Sequence, residues 1–243
     1  MDPSIEKSSF QQNLGANVSS YRKNAKLFER ELDNIKSDYP NLHYRNTPKG
    51  LVLEGEVAFD ITFKEVKERI RDSYLVQISF PDNYPQDHPT VKEIGGRIPS
   101  NYHRNGDELC LGVPSEVFLK FVKNPTLLHF IRELLEHYLC KYSYWEKHNG
   151  KTPFNERSHG GEGVCEYYSE IFGTKDNEAI ISLLEIPMSK AYKQSMICPC
   201  GSRKKLKKCH GKIILSIQNT IPTKILDYEL RQLKKYVYGL WKL

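Results

Sequence analysis

The chain has 243 residues, 39% of them hydrophobic and 27% charged, a composition that suits a globular protein and excludes fibrous or low-complexity classes. No apolar run approaches the roughly 18 residues of a membrane span, and MDPSIEKSSFQQ lacks the basic start and apolar centre of a secretory signal, so a cytoplasmic protein with no membrane partner is expected. The net charge of +6 is split: residues 190–243 carry 13 Lys/Arg against 2 Asp/Glu, whereas residues 1–189 carry 23 against 28, a slightly acidic body with a basic tail.

Residues 18–37 predict an amphipathic helix, with Val18, Tyr21, Ala25, Phe28, Leu32 and Ile35 at three- and four-residue steps and Pro40 beyond its end. The period then changes. LVLEGEVAF (51–59) alternates, placing Leu51, Leu53, Gly55, Val57 and Phe59 on one face. KEVKERIRD (64–72) is charged and fits one or two helical turns. SYLVQISF (73–80) alternates again, its buried side starting at Leu75 or Val76, and TVKEIG (90–95) is a third strand. The spacing predicts an antiparallel meander, punctuated by the corners FPDNYPQDHP (80–89) and RIPSNYH (97–103).

Helices follow. PSEVFLKFVKN (114–124) predicts a short one, and 125–145 a long one with Leu127, Ile131, Leu134 and Tyr138 in a stripe and Pro125 in its first turn. Residues 147–163 are turn-rich. Helices are expected at 164–173 and 177–186, the latter ended by Pro187, then a linker over 187–197 and a basic helix over 223–238. The expected division is 1–175 for the main domain, 176–195 for a helix and linker, and 196–243 for the tail.

The six cysteines are Cys110, Cys140, Cys165, Cys198, Cys200 and Cys209. Their uneven spacing favours metal or catalytic roles over disulfides in a reducing compartment. Cys140 and Cys165 read as packed thiols, and Trp145 and Trp241 as packing or anchoring residues. In CPCGSRKKLKKCHG, Cys198, Cys200, Cys209 and His210 supply three thiolates and an imidazole, the donors of a closed tetrahedral zinc site. A structural Zn2+ is expected there. This frame resembles the SEC-C motif, a small zinc knuckle, which implies either a docking module or a staple for a tail too small for its own core.

Cys110 sits in NYHRNGDELCLG, a polar, turn-rich setting that suits a nucleophile better than a packed strand thiol. The order of amphipathic helix, meander, Pro81/Tyr84/Pro85/Pro89/Val91 step, Asn105–Gly106–(Asp-Glu)–Leu109–Cys110–Leu111 and helices resembles the ubiquitin-conjugating (UBC) fold over about residues 15–145. That resemblance implies an α+β UBC-like domain and a transferase that carries a modifier as a thioester on Cys110. It also implies partners: an activating enzyme and a protein modifier, either a ubiquitin-like protein or a nucleotidyltransferase C-terminus.

The pattern departs from the eukaryotic family. The His-Pro-Asn triplet is absent, Pro99-Ser100-Asn101 stands in its place, and one extra residue separates Asn105–Gly106 from the cysteine. His103 and the His159–Gly160 step resemble bacterial relatives found in antiphage-defence operons of the CBASS type. Asn101, His103 and Asn105 are candidates to stabilise an oxyanion, and His103 and His159 candidates for a base. Two other readings stay open: a non-catalytic UBC-fold binding module, and RNA or ribosome docking through the basic tail with its interleaved Tyr192, Tyr228, Tyr236, Tyr238 and Trp241.

Overall fold

A computed structural model describes residues 19–48, 50–63, 67–154, 156–189 and 192–239. It is a mixed α+β structure in two compact units, Met1–Leu111 with Lys120–Phe154 and Gly112–Leu119 with Asn155–Leu243.

The first unit opens with α1 (Ser19–Ile35). Phe28 and Ile35 of its apolar stripe are buried and Ala25 and Leu32 half-buried, as the helical period requires. Val18 lies outside the described residues. Glu31 is buried on the same helix, and its carboxylate accepts a 2.6 Å hydrogen bond from the Leu127 N–H, a donor the helix beginning there leaves unpaired.

Four strands then form an antiparallel sheet in the order β1-β2-β3-β4: β1 (His43–Thr47), β2 (Gly50–Phe63), β3 (Glu68–Ser79) and β4 (Thr90–Glu93). The meander expected from the alternation is present. Leu51, Leu53, Val57 and Phe59 are buried, and in β3 the buried series is Ile70, Tyr74, Val76 and Ile78, so the core side includes Val76, leaves Leu75 exposed and starts earlier than the sequence pattern indicates. The helical reading of 64–72 fails over 68–72. There Glu68, Arg69, Ile70, Arg71 and Asp72 pair with residues 59–63 of β2. Both sides of this ribbon end carry charges, and the Arg69–Asp60 pair spans it, so the polar run hides a strand.

After β4, a two-strand hairpin, β5 (Arg104–Asn105) with β6 (Glu108–Leu109), leads to Cys110. The long helix is interrupted. It begins as α3 (Leu127–Phe130), opens into a π-helical turn over Ile131–Leu135, and continues as α4 (Glu136–Lys147). Thr126 caps it, accepting from the His129 N–H, so Pro125 stands before the cap rather than in the first turn. Leu127, Ile131, Leu134 and Tyr138 of the predicted stripe are all buried, with Leu135 and Leu139 beside them.

The second unit is helical. It holds Gly112–Leu119, most of α2 (Pro114–Phe121), together with α5 (Gly160–Phe172), α6 (Asn177–Ser189), α7 (Gly211–Thr220) and α8 (Thr223–Tyr238). Pro187 falls inside α6, which runs two residues past it, instead of ending it. Helix α7 was not among the predicted elements. Gly161 lets α8 approach α5: a Cβ there would lie 2.1 Å from the Gln232 carbonyl oxygen. Glu229 of α8 is fully buried and accepts hydrogen bonds from the Ser115 N–H (2.7 Å), the Ser115 hydroxyl and the Tyr168 hydroxyl (2.7 Å). No described helix is long and apolar enough to cross a membrane.

Candidate metal centre and the Cys110 hairpin

The metal-ligand set predicted from sequence is assembled by a short antiparallel bridge. Ile197 pairs with Lys205, the Cys198 N–H donates to the Lys204 carbonyl at 2.9 Å, and the Leu206 N–H donates to Met196 at 2.7 Å. This brings the CPC step beside the single 3-10 turn Leu206–Lys208, whose Leu206 is fully buried and anchors the loop. Cys209 and His210 follow that turn directly.

The ligand atoms of Cys198, Cys200, Cys209 and His210 all lie within 4.8 Å of one another. Cys198 Sγ is 3.1 Å from His210 Nδ1, Cys209 Sγ 3.3 Å from the same nitrogen, and the Cys200 and Cys209 sulfurs are 3.5 Å apart. A tetrahedral ion with Zn–S near 2.3 Å and Zn–N near 2.0–2.1 Å needs donor separations of about 3.5–3.8 Å. His210 Nε2 lies 2.8 Å from the Phe172 carbonyl oxygen of α5. Donation there puts the proton on Nε2 and leaves the Nδ1 lone pair facing the sulfurs, the outer-shell arrangement that fixes a ligating histidine.

Residues 197–212 match the family model of the SEC-C motif. No curated protein matches the chain. Within the SEC-C segment the three thiols and the imidazole are compatible with a metal ion such as zinc. Burial pushes the Cys198 thiol up to about 11. Burial also acts against the Cys200 thiolate, but hydrogen bonds from the Ser202 hydroxyl and N–H and from the neighbouring thiols outweigh it and bring Cys200 down to about 6. Ser202, whose Oγ is 3.3 Å from Cys209 Sγ, and the Phe172 carbonyl are supporting groups that motif spacing did not indicate.

The Cys110 hairpin belongs to the first unit. Its two-residue turn is Gly106–Asp107, with Gly106 at φ +62°, the conformation a tight hairpin needs at its first central position. Arg104 pairs with Leu109 and Asn105 with Glu108. The Cys110 N–H then donates to the His103 carbonyl at 2.7 Å, which puts His103 on the rung opposite Cys110. Asn105 stands two rungs away, about 7 Å along the strand. Asn101 is exposed in the turn before His103. His159 is exposed in the second unit, immediately before α5.

Residues absent from the sequence reading hold this loop. The Tyr138 hydroxyl of α4 donates toward the Tyr102 and His103 carbonyls at 3.3 and 3.1 Å. The Tyr102 ring packs on Tyr142 and Trp145, which confirms Trp145 as a packing residue; Trp241 lies outside the described residues. Arg97 forms a double hydrogen bond to Asp72 at 2.8 Å and a further pair with Glu146, while the Tyr142 hydroxyl donates to its carbonyl. Glu93, buried, accepts from the Gly95 and Ile98 N–H groups. Residues 95–103 are therefore tied to β3, β4 and α4. Thr90–Glu108 and Lys92–Asp107 contacts tie the hairpin to β4.

Cys110 is half-buried. Cys140 is fully buried and burial pushes its thiol up to about 12, which makes it a packed thiol. Cys165 is half-buried, donating to Asn177 Oδ1 at 3.0 Å.

Proposed function

We propose that the chain is a ubiquitin-conjugating-enzyme-like transferase that carries an acyl group on Cys110, with a structural zinc ion held by Cys198, Cys200, Cys209 and His210. The observation that supports this most is the hairpin rung that sets His103 opposite a half-buried Cys110. This rung ends a helix-then-meander order of the kind the family resemblance implies.

The chemistry is acyl exchange. The Cys110 thiolate attacks the carbonyl carbon of a modifier C-terminus held as a thioester on an activating enzyme. The Cys110 S–C bond forms, and the activating enzyme's thiolate leaves. An acceptor amine then attacks the new thioester, loses its proton to a base, and expels the Cys110 thiolate as the amide forms. Asn101 and His103 are the proposed oxyanion donors and His103 the proposed base. The zinc ion supplies a cross-link within the tail and takes no part in the transfer. The proposed modifier is a ubiquitin-like protein or a nucleotidyltransferase C-terminus, in keeping with the antiphage-defence relatives that the sequence resembles.

The test is intact-mass measurement after incubation with ATP, an activating enzyme and its modifier. Wild type gains the mass of the modifier, and a thiol reductant removes it. Cys110→Ser gives a reductant-stable ester or nothing. An adduct that persists unchanged in Cys110→Ala refutes the assignment.

A further inference from the structure

Between α5 and α7 of the second unit runs a groove of about 380 Å³ that the transfer chemistry does not use. Tyr167 and Ile171 of α5 and Ile213 and Ile217 of α7 line it, and the exposed Lys212 and Ser216 stand at its lip. Ile171 is 38% exposed, unusual for an isoleucine without a covering partner. The α7 side, from Lys212 to Ile221, is about 14 Å long, room for two to three turns of a helical segment.

The Lys212 end of the groove opens on the SEC-C segment. There Arg203, Lys204, Lys205, Lys207 and Lys208 are exposed. Neither they nor Lys212 makes an ion pair among the described residues, and the chain has no acidic residue between Glu185 and Asp227. No acid lines the groove, and those of α5 are engaged elsewhere: Glu170 with Arg157, Glu166 with the N–H and hydroxyl of Ser158, and Glu162 with the Tyr236 hydroxyl. Lys212 thus borders an apolar floor, and five further exposed cations precede it within nine residues of the chain.

We propose that this groove takes an acidic amphipathic peptide segment of a partner protein. Its apolar side chains sit on the isoleucines and its carboxylates face the lysines of the SEC-C segment. A nucleic acid fits less well. Phosphates would satisfy the lysines, but Ile171, Ile213 and Ile217 offer nothing to a sugar-phosphate backbone and would stay uncovered. The proposal is independent of the acyl transfer at Cys110, so either can fail alone.

The test uses the full-length zinc-loaded chain and fluorescence anisotropy. The probe is a labelled peptide of about 16 residues with Leu at i, i+3, i+4 and i+7 and Glu elsewhere. The comparators are the same peptide with Ser for Leu, and oligouridylate of equal charge. The Leu/Glu peptide binds, and the Ser version binds at least about tenfold more weakly. Ser216→Trp fills the groove from an exposed position, and Ile171→Glu places a like charge on its wall. Each weakens binding by about tenfold while leaving the melting temperature unchanged. Lys207→Glu with Lys208→Glu weakens binding and flattens its salt dependence. Equal binding of the Ser peptide or of oligouridylate, insensitive to Ser216→Trp, overturns the proposal in favour of a general polyanion surface. So does failure of the Leu/Glu peptide to bind at low salt.

Discussion

Replacing Glu229 tests the buried polar cluster of the second unit. Its side chain is fully buried and accepts three hydrogen bonds, two from Ser115 and one from Tyr168. Glu229→Ala strips the Ser115 N–H of its acceptor, while the Ser115 and Tyr168 hydroxyls keep each other at 3.0 Å. A buried N–H without a partner costs about 1–3 kcal/mol, and the cavity left by the side chain adds to it, so a loss of about 3–5 kcal/mol is expected.

Glu229→Gln keeps the volume and one acceptor oxygen and costs about 1–2 kcal/mol at mildly acid pH. Its cost then changes with pH. Burial raises the Glu229 carboxyl above the usual carboxylate range, against the pull of its three donors. A raised acid holds its proton in the folded state after the unfolded chain has released it. Stability from the group is full below the unfolded value near 4.5 and falls as pH rises toward the folded value, by up to about 1.4 kcal/mol per pH unit. Wild type therefore loses its advantage over Glu229→Gln as pH rises. Urea unfolding of both proteins from about pH 4.5 upward reads this out, and the difference cancels contributions common to both. A wild-type advantage that grows with pH refutes the reasoning, because the carboxyl would then be held below its ordinary value.

Chelation of the metal, or His210→Ala, is expected to reduce bound zinc from about one equivalent per chain and to unfold the SEC-C segment, read by atomic absorption and limited proteolysis. Acidification is expected to release the metal as well, by protonating the thiolates. Arg97→Ala removes the double hydrogen bond to Asp72, the pair with Glu146 and the stacking on Tyr74, at a cost of about 1–3 kcal/mol and with faster proteolysis within 94–103. Burial works against the Asp72 carboxylate, but Arg97, Ser143 and the Ser73 N–H hold it below its ordinary value. Its contribution is present at neutral pH and lost as pH falls, so Arg97→Ala moves the acid unfolding limb to higher pH, measured by circular dichroism.

The helices and central strands were legible because a single apolar face repeats along each: Phe28 and Ile35 in α1, Val57 and Phe59 in β2, Leu127 and Ile131 in α3 and the π turn. Strand β1 was not, since HYRNT is an edge strand with no buried residue and so has no pattern to betray it. Helix α7 escaped because GKIILSIQNT is rich in β-branched residues, and only the burial of Ile214 and Ile217 on one side reveals its helical period. The metal donors were readable because they fall within 13 residues, 198–210. The groups that hold the Cys110 loop were not. Tyr138 lies 35 residues from His103, Glu146 lies 49 from Arg97, and nothing local signals either meeting.

The hairpin at 104–109 is also a counting device. Side chains along a strand alternate with a period of two, so whether the number of residues between turn and thiol is odd or even decides which face Cys110 shares. With Glu108 and Leu109 between the turn and Cys110, His103 is the residue across from it. One residue added after Glu108 would set the cysteine opposite Tyr102, whose ring is buried against Trp145, and turn the sulfur to the other side. In this chain the spacing between turn and thiol, more than the identity of the residues that fill it, therefore sets which residue faces Cys110.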